Sequence, residues 1–259
     1  MSMRISIVTL FPTMISGFFE ESIVKRAQEK NLVKIELVNL RDFAVDEYGS
    51  VDDRPYGGGA GMVMRVEPLY KAIQQIKAPN SKYQIPNSRV VLTSAKGKIF
   101  SQEKAREYSK LEHLVIIAGH YEGVDERVLK YMDEEVSLGD FVMTGGEIAA
   151  SAIVDSVVRL IPGVLKKDDA TTNESFFTVS INRLIEAVGE DDLFKKLKEK
   201  KIETVKLLEY PHYTRPPEFM GDKVPEVLLS GDPKKIEPWK LKRAHEETLK
   251  KRPDLLKVM

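Results

Sequence analysis

Cysteine is missing from this chain of 259 residues, which excludes disulfides and thiolate metal centres and fits a reducing compartment. Net charge is missing too. Forty Lys and Arg face forty Asp and Glu, so no global field draws in a nucleic acid, and such a partner has to meet a local patch. No apolar run reaches the length of a membrane span, and the opening segment MSMRISIVTLFP is cut short at Pro12. Internal repeats and low-complexity tracts are absent. A cytoplasmic protein with no membrane partner is therefore expected. What remains is a globular composition, 42% hydrophobic and 31% charged, in a chain long enough for one large or two smaller domains.

Hydrophobic periodicity organises the N-terminal part. Ile5–Leu10 reads as a buried strand, Thr13–Lys30 as a helix, Leu32–Leu40 as a second strand, Glu67–Ile76 as a short helix and Arg89–Leu92 as a strand. Ser101–Lys110 is helical in pattern and His113–Ala118 is another strand. This alternation predicts an α/β fold with a mainly parallel sheet. Asp42–Gly61 reads as a loop. Its VDDRPYGGGAG stretch lacks the Gly-Lys-Ser/Thr of a phosphate loop. It is either a glycine-rich surface loop or a flexible carrier of Asp53, Arg54 and Tyr56 toward an RNA or a neighbouring subunit. Lys77–Ser88 reads as a linker or flap.

The stretch His120–Glu147 concentrates the candidate chemistry. Gly119 and Gly123 follow a strand, and Gly139, Gly145 and Gly146 precede an apolar helical stretch from Glu147 to Leu160. Glycines there end elements or let a flat ligand lie against bare peptide groups. In an open α/β sheet, turns at strand C-termini are where ligands bind. After Pro162–Gly163 the composition changes. LKKDDATTNESFFT (165–178) reads as a linker, Ile181–Val188 and Leu193–Lys201 as amphipathic helices, and Pro233–Lys250 as a last helix. Between Lys234 and Lys257, nine Lys and Arg oppose four Asp and Glu, with Trp239 among them. That pattern suits a solvated helix face or a phosphate-contacting one.

Five segments in order, VDDRPYGGGAGMVMR (51–65), IIAGHYEGVDERV (116–128), SLGDFVMTGGE (137–147), DSVVRLIPGVL (155–165) and YPHYTRPPEF (210–219), resemble the bacterial tRNA (guanine-N1) methyltransferases. Those enzymes modify guanosine 37, beside the anticodon, and the resemblance covers nearly the whole chain. It implies a SPOUT-type mainly parallel sheet with a deep trefoil knot, departing from the general absence of knots, plus a smaller all-α C-terminal domain. The implied division is a knotted donor-binding domain over 1–163, a linker over 164–180 and a helical tRNA-binding domain over 181–259. It further implies a homodimer with active sites at the subunit interface, S-adenosylmethionine as methyl donor and Mg2+ for activity. No compact carboxylate cage for a metal is visible in the sequence.

By motif position, the resemblance puts Leu92, Thr93, Ser94, Gly119, Tyr121, Glu122 and Gly123 around the donor. Ser137, Leu138, Gly139, Phe141, Met143, Gly145 and Gly146 complete the ring. N1 of guanine carries a proton and is a poor nucleophile until a base removes it. Negative charge then builds on O6, where an arginine stabilises it. Arg159 matches the family arginine of that role. Glu174 stands where the family's base is Asp, with Asp168 or Asp169 as the alternative base. Two other departures are His120, where the family has Arg, and an insertion over Thr178–Lys206, expected as a helical hairpin.

Overall fold

The β-branched runs of the N-terminal part become one parallel sheet. The computed structural model describes residues 2–77, 87–166 and 174–256, and the chain divides into two compact units, Met1–Lys167 and Asp168–Met259. The first unit runs β1 (Met3–Thr9), α1 (Pro12–Phe19), α2 (Ser22–Glu29), β2 (Val33–Asn39), then a ribbon of β3 (Asp52–Asp53) and β4 (Val63–Met64). There follow α3 (Val66–Lys77), β5 (Ser88–Ile99), α4 (Gln102–Tyr108), β6 (His113–Ala118), β7 (Glu134–Ser137) and α5 (Glu147–Val158).

Five strands pair in the order β2-β1-β6-β5-β7, every pair parallel. Period-two alternation explains the two cores. Ile5, Ile7, Leu114 and Ile116 face α1, α2, α4 and α5. Val8, Val90, Leu92, Val115 and Ile117 face the layer that holds α3. Central β6 is buried along its whole length, as a strand covered on both faces must be. The α/β reading is met.

Three details differ from expectation. The helix over Thr13–Lys30 is two helices, because the buried positions Ile15, Phe19, Val24 and Ala27 step by four, five and three, and the step of five falls at the break. Ser22 takes φ +53 there. Strand β5 does not stop at Leu92. It shifts register between Thr93 and Lys98 and rejoins β7, with Gly97 against the 135–136 backbone, where a Cβ would stand 2.4 Å from Val136 N. The Asp42–Gly61 loop opens on the end of a 3-10 turn, Leu40–Phe43, and holds the start of the β3–β4 ribbon. Nearly all of the Lys77–Ser88 linker lies outside the described residues.

The second unit runs β8 (Phe177–Ser180), α6 (Ile181–Val188), α7 (Asp192–Glu199), β9 (Thr204–Leu207), β10 (Glu218–Phe219), β11 (Asp222–Lys223), α8 (Glu226–Leu229) and α9 (Pro233–Lys251). The expected all-α composition needs correcting. The unit is mainly helical, but β8–β9 and β10–β11 form two antiparallel ribbons. The β8–β9 ribbon closes the base of the α6–α7 hairpin, so Phe177–Ser180, expected in the linker or the insertion, is strand. Its core joins Leu184, Phe194, Leu197, Leu207 and Ala244.

Candidate active site

Three turns at the C-terminal edge of the sheet pack backbone against backbone. They follow Thr93 in β5, Ala118 in β6 and Ser137 in β7. Thr93 ties the first two: its hydroxyl donates to Ile117 O at 3.2 Å and accepts from Gly119 N at 3.1 Å. Gly146 N donates to Gly119 O at 2.6 Å, and His120 bridges Gly145, which ties in the third. A Cβ on Gly146 would lie 2.0 Å from Thr93 Oγ1 and 2.7 Å from Gly119 N, so only glycine permits this crossing.

These turns enclose a cavity of about 250 Å³. All fourteen residues matched to the donor ring lie on its wall: Leu92, Thr93, Ser94, Gly119, Tyr121, Glu122, Gly123, Ser137, Leu138, Gly139, Phe141, Met143, Gly145 and Gly146. The wall mixes glycine-flat backbone, apolar side chains (Leu92, Leu138, Met143) and the Glu122 carboxylate, a donor set that fits a ligand with both a planar and a charged part. Ser137 Oγ donates to Gly139 O at 2.9 Å and accepts from Gly139 N at 3.1 Å, which fixes the third turn from within. Tyr121 holds φ +58, and partial burial raises the pKa of its phenol.

The glycine-rich loop also reaches this wall through its C-terminal end. Glu122 N donates to Met62 O at 3.0 Å, Met64 N donates to Gly123 O at 2.9 Å, and a Cβ on Gly61 would meet the Glu122 side chain at 2.6 Å. Gly61–Met64 thus buttresses the second turn. Asp53 pairs with Val63 within the ribbon, while Tyr56 is fully exposed; neither they nor Arg54 line the cavity.

Arg159 is the C-cap of α5, and Gly146 at the cavity is its N-cap. Twelve helical residues at about 1.5 Å each put the two ends roughly 18 Å apart. Glu174 belongs to the second unit: its carbonyl accepts from Phe177 N at 3.0 Å, and Phe176 N donates to Leu207 O at 2.7 Å. Asp168 and Asp169 lie outside the described residues.

Sequence reasoning missed Glu147 as part of this site. The carboxylate is 1% exposed, accepts from Thr9 Oγ1 at 2.8 Å, and turns its other oxygen toward His120 Nδ1 at 3.6 Å. A Glu at the first turn of a helix ordinarily signals a solvent-facing charge near the positive helix end. Only the sheet contact shows that it is buried. Among the described residues no group of three or more His, Asp or Glu is spaced to hold a metal ion. Among them, too, no helix is long and apolar enough to cross a membrane.

Residues 3–258 match the protein family described as tRNA (Guanine-1)-methyltransferase TrmD. The chain belongs to this family. It is similar to the tRNA (guanine-N(1)-)-methyltransferase of Citrifermentans bemidjiense, 49% identical over 255 residues that cover 98% of this chain and 90% of the relative. The relative of the same name from Carboxydothermus hydrogenoformans is 48% identical over 257 residues, covering 99% and 88%. That from Endomicrobium trichonymphae is 42% identical over 259 residues, covering 98% and 100%. The segments IIAGHYEGVDERV and SLGDFVMTGGE, which carry the resemblance in the sequence, supply two of the three turns.

Proposed function

We propose that this chain is a cytoplasmic tRNA methyltransferase that transfers a methyl group from S-adenosylmethionine to N1 of guanosine 37. The observation that carries the reading is the single cavity on which all fourteen motif-matched residues converge. When bound, S-adenosylmethionine supplies the methyl group from a sulfonium centre. The bare backbone of Gly119, Gly139 and Gly145 would take its planar part, and Glu122 would take the ribose or the cationic end. The three turns, crossing at glycines, support the deep trefoil knot. Residues 1–163 would then be the donor-binding domain, 164–180 the linker and 181–259 the tRNA-binding domain.

Glu174 takes the N1 proton as the base becomes nucleophilic, and the Arg159 guanidinium balances the charge that builds on O6. Glu is one methylene longer than the family's Asp, so its backbone stands farther from the base. Arg159 stands at the far end of α5 from its own cavity, which supports a homodimer in which each cavity is completed by the partner. Exposed apolar side chains on α1 (Met14, Phe18), beside the cavity (Phe141, Val142) and at Ile148 of α5 supply surface for that second copy.

The second unit carries chemistry suited to RNA. Tyr210 and Tyr213 each stand 6.5 Å from the Trp239 ring, Lys240 Nζ lies 5.1 Å over Tyr210, and the Arg243 guanidinium lies 5.7 Å over Trp239. Aromatic faces stack unpaired bases and the cations meet phosphates, which answers the lack of net charge with a local patch.

The test pairs Glu174→Gln with a mixing experiment. Glu174→Gln is expected to bind donor normally and to lose turnover by at least roughly a hundredfold. Unchanged turnover would move the base to Asp168 or Asp169. Mixing an Arg159→Ala chain with a Gly146→Ala chain, each inactive alone, is expected to restore part of the activity, because one cavity in the mixed dimer has both an intact wall and a partner arginine. No restoration would contradict a shared site.

A further inference from the structure

His120 and Glu147 are the pair in the first unit that the proposed chemistry leaves unused. His120 Nδ1 and Glu147 Oε2 are both sealed from solvent, and among the described residues neither has a hydrogen-bond partner. They face each other at 3.6 Å. A buried carboxylate oxygen left unpaired carries the full penalty of its lost hydration. Two lone pairs facing across this gap would compound that cost, whereas a proton on Nδ1 relieves both atoms with a shift of a few tenths of an ångström.

The pair also lies in a chain of contacts that ends at the cavity. Thr9, the last residue of β1, donates its hydroxyl to Glu147 Oε1 at 2.8 Å and accepts from Phe11 N at 3.0 Å. Gly145 lies against both partners, since a Cβ there would stand 2.3 Å from His120 Nδ1 and 2.4 Å from Glu147 Oε2. The imidazole packs against Phe11 at 5.1 Å and edge-on to Tyr121 at 4.9 Å. Tyr121 is a wall residue held at positive φ, a conformation that persists only when its surroundings hold it.

We infer that His120 is a positioning residue: Glu147 fixes its Nδ1–H, and the ring in turn fixes Tyr121 and locks the Gly119–Gly123 turn to the Gly145–Glu147 turn around the cavity. The carboxylate's tether to Thr9 gives this clamp a rigid base at the end of β1. The inference rests on the reading of the cavity as the S-adenosylmethionine site, and it identifies a polar clamp that the fourteen matched residues do not include.

The chain has only four histidines, so the imidazole 15N–1H spectrum of the intact protein separates them, with His120 assigned from its variants. A proton on Nδ1 of His120, lost or strongly shifted in Glu147→Ala, is expected. His120→Asn offers an N–H near the Nδ1 position, whereas His120→Gln offers one near Nε2. The Asn variant is expected to bind S-adenosylmethionine about fivefold more tightly than the Gln variant, and the Gln variant to show KM for donor raised roughly tenfold with kcat within about threefold of wild type. A His120 protonated on Nε2 alone, or equal donor affinity in the two variants, overturns the clamp. A wild-type chain that binds no donor overturns instead the reading of the cavity, and the imidazole spectrum still decides the pair.

Discussion

The crossing turns of the first unit and the loops of the second use glycine for opposite reasons, while Gly49, Gly57, Gly58 and Gly123 of the first unit follow the second pattern, at positive φ in open space. At Gly97, Gly119, Gly145 and Gly146 of the first unit no positive φ is involved; an added Cβ would strike neighbouring atoms at 2.0–2.6 Å, mostly backbone or buried polar groups. At Gly189, Gly221 and Gly231 of the second unit the backbone is left-handed at φ +86, +90 and +66, and a Cβ would meet nothing within 4 Å. In the first case glycine lets strand ends and turns approach each other. In the second it lets the chain turn in open space. A ligand cavity walled by backbone requires the first kind, while a surface that presents side chains to a long polymer needs only the second.

That contrast can be broken most sharply at Gly146. Gly146→Ala is expected to abolish donor binding, by more than roughly a hundredfold, and to cost about 3 kcal/mol of stability, because the backbone at Gly119 and Ala118 cannot yield. Gly221→Ala is expected to cost only about 1–2 kcal/mol from its φ and to leave donor binding unchanged. Calorimetry with the donor and thermal unfolding read both. Equal losses of donor affinity would erase the distinction.

The aromatic and cationic face of the second unit gives a smaller effect of the complementary kind. Trp239→Ala is expected to raise KM for tRNA roughly tenfold, about 1–3 kcal/mol for a lost stacking platform, with donor affinity unchanged. Arg243→Gln is expected to weaken tRNA binding less and to reduce its salt dependence. Filter binding across a salt series measures both. A change in donor affinity with either variant would mean that the division of labour is wrong.

Buried histidines sharpen the comparison by titration. His113 in β6 shares a 2.9 Å hydrogen bond with Ser6, and burial pushes its pKa down from 6.5 to about 4, with the Arg4 charge acting in the same direction. The unfolded chain takes up that proton below about 6.5 while the folded chain resists it. The contribution is therefore full above neutral pH and is lost as pH falls toward 4, about 2 kcal/mol between pH 7 and pH 5. His245, stacked on Phe194 at 5.5 Å in the second unit, is shifted the same way, chiefly by burial. His113→Gln is expected to flatten the acid slope of the first unit alone. A slope unchanged in that variant would assign the pH dependence elsewhere.

What the residues revealed in advance follows from the range of the interactions. Central β6 was legible to the residue because a strand buried on both faces is an unbroken apolar run. The residues of the cavity wall were legible as motifs because each turn is a short contiguous segment. The continuation of β5 past Thr93 was not, since it depends on pairing with β7, some forty residues later, and its outer half is polar and exposed. Glu147 was hidden for the same reason: its burial comes from Thr9, 138 residues away. The β8–β9 ribbon escaped because an antiparallel pair of four-residue strands, separated by two helices, leaves little local pattern.

The most direct test of the account is methyl transfer from labelled S-adenosylmethionine to unmodified tRNA carrying guanosine 37, with a transcript bearing adenosine there as control. Label on the guanosine transcript alone, found at N1 after digestion to nucleosides, is the expected result. Equal label on both transcripts, or label at another atom, would contradict it.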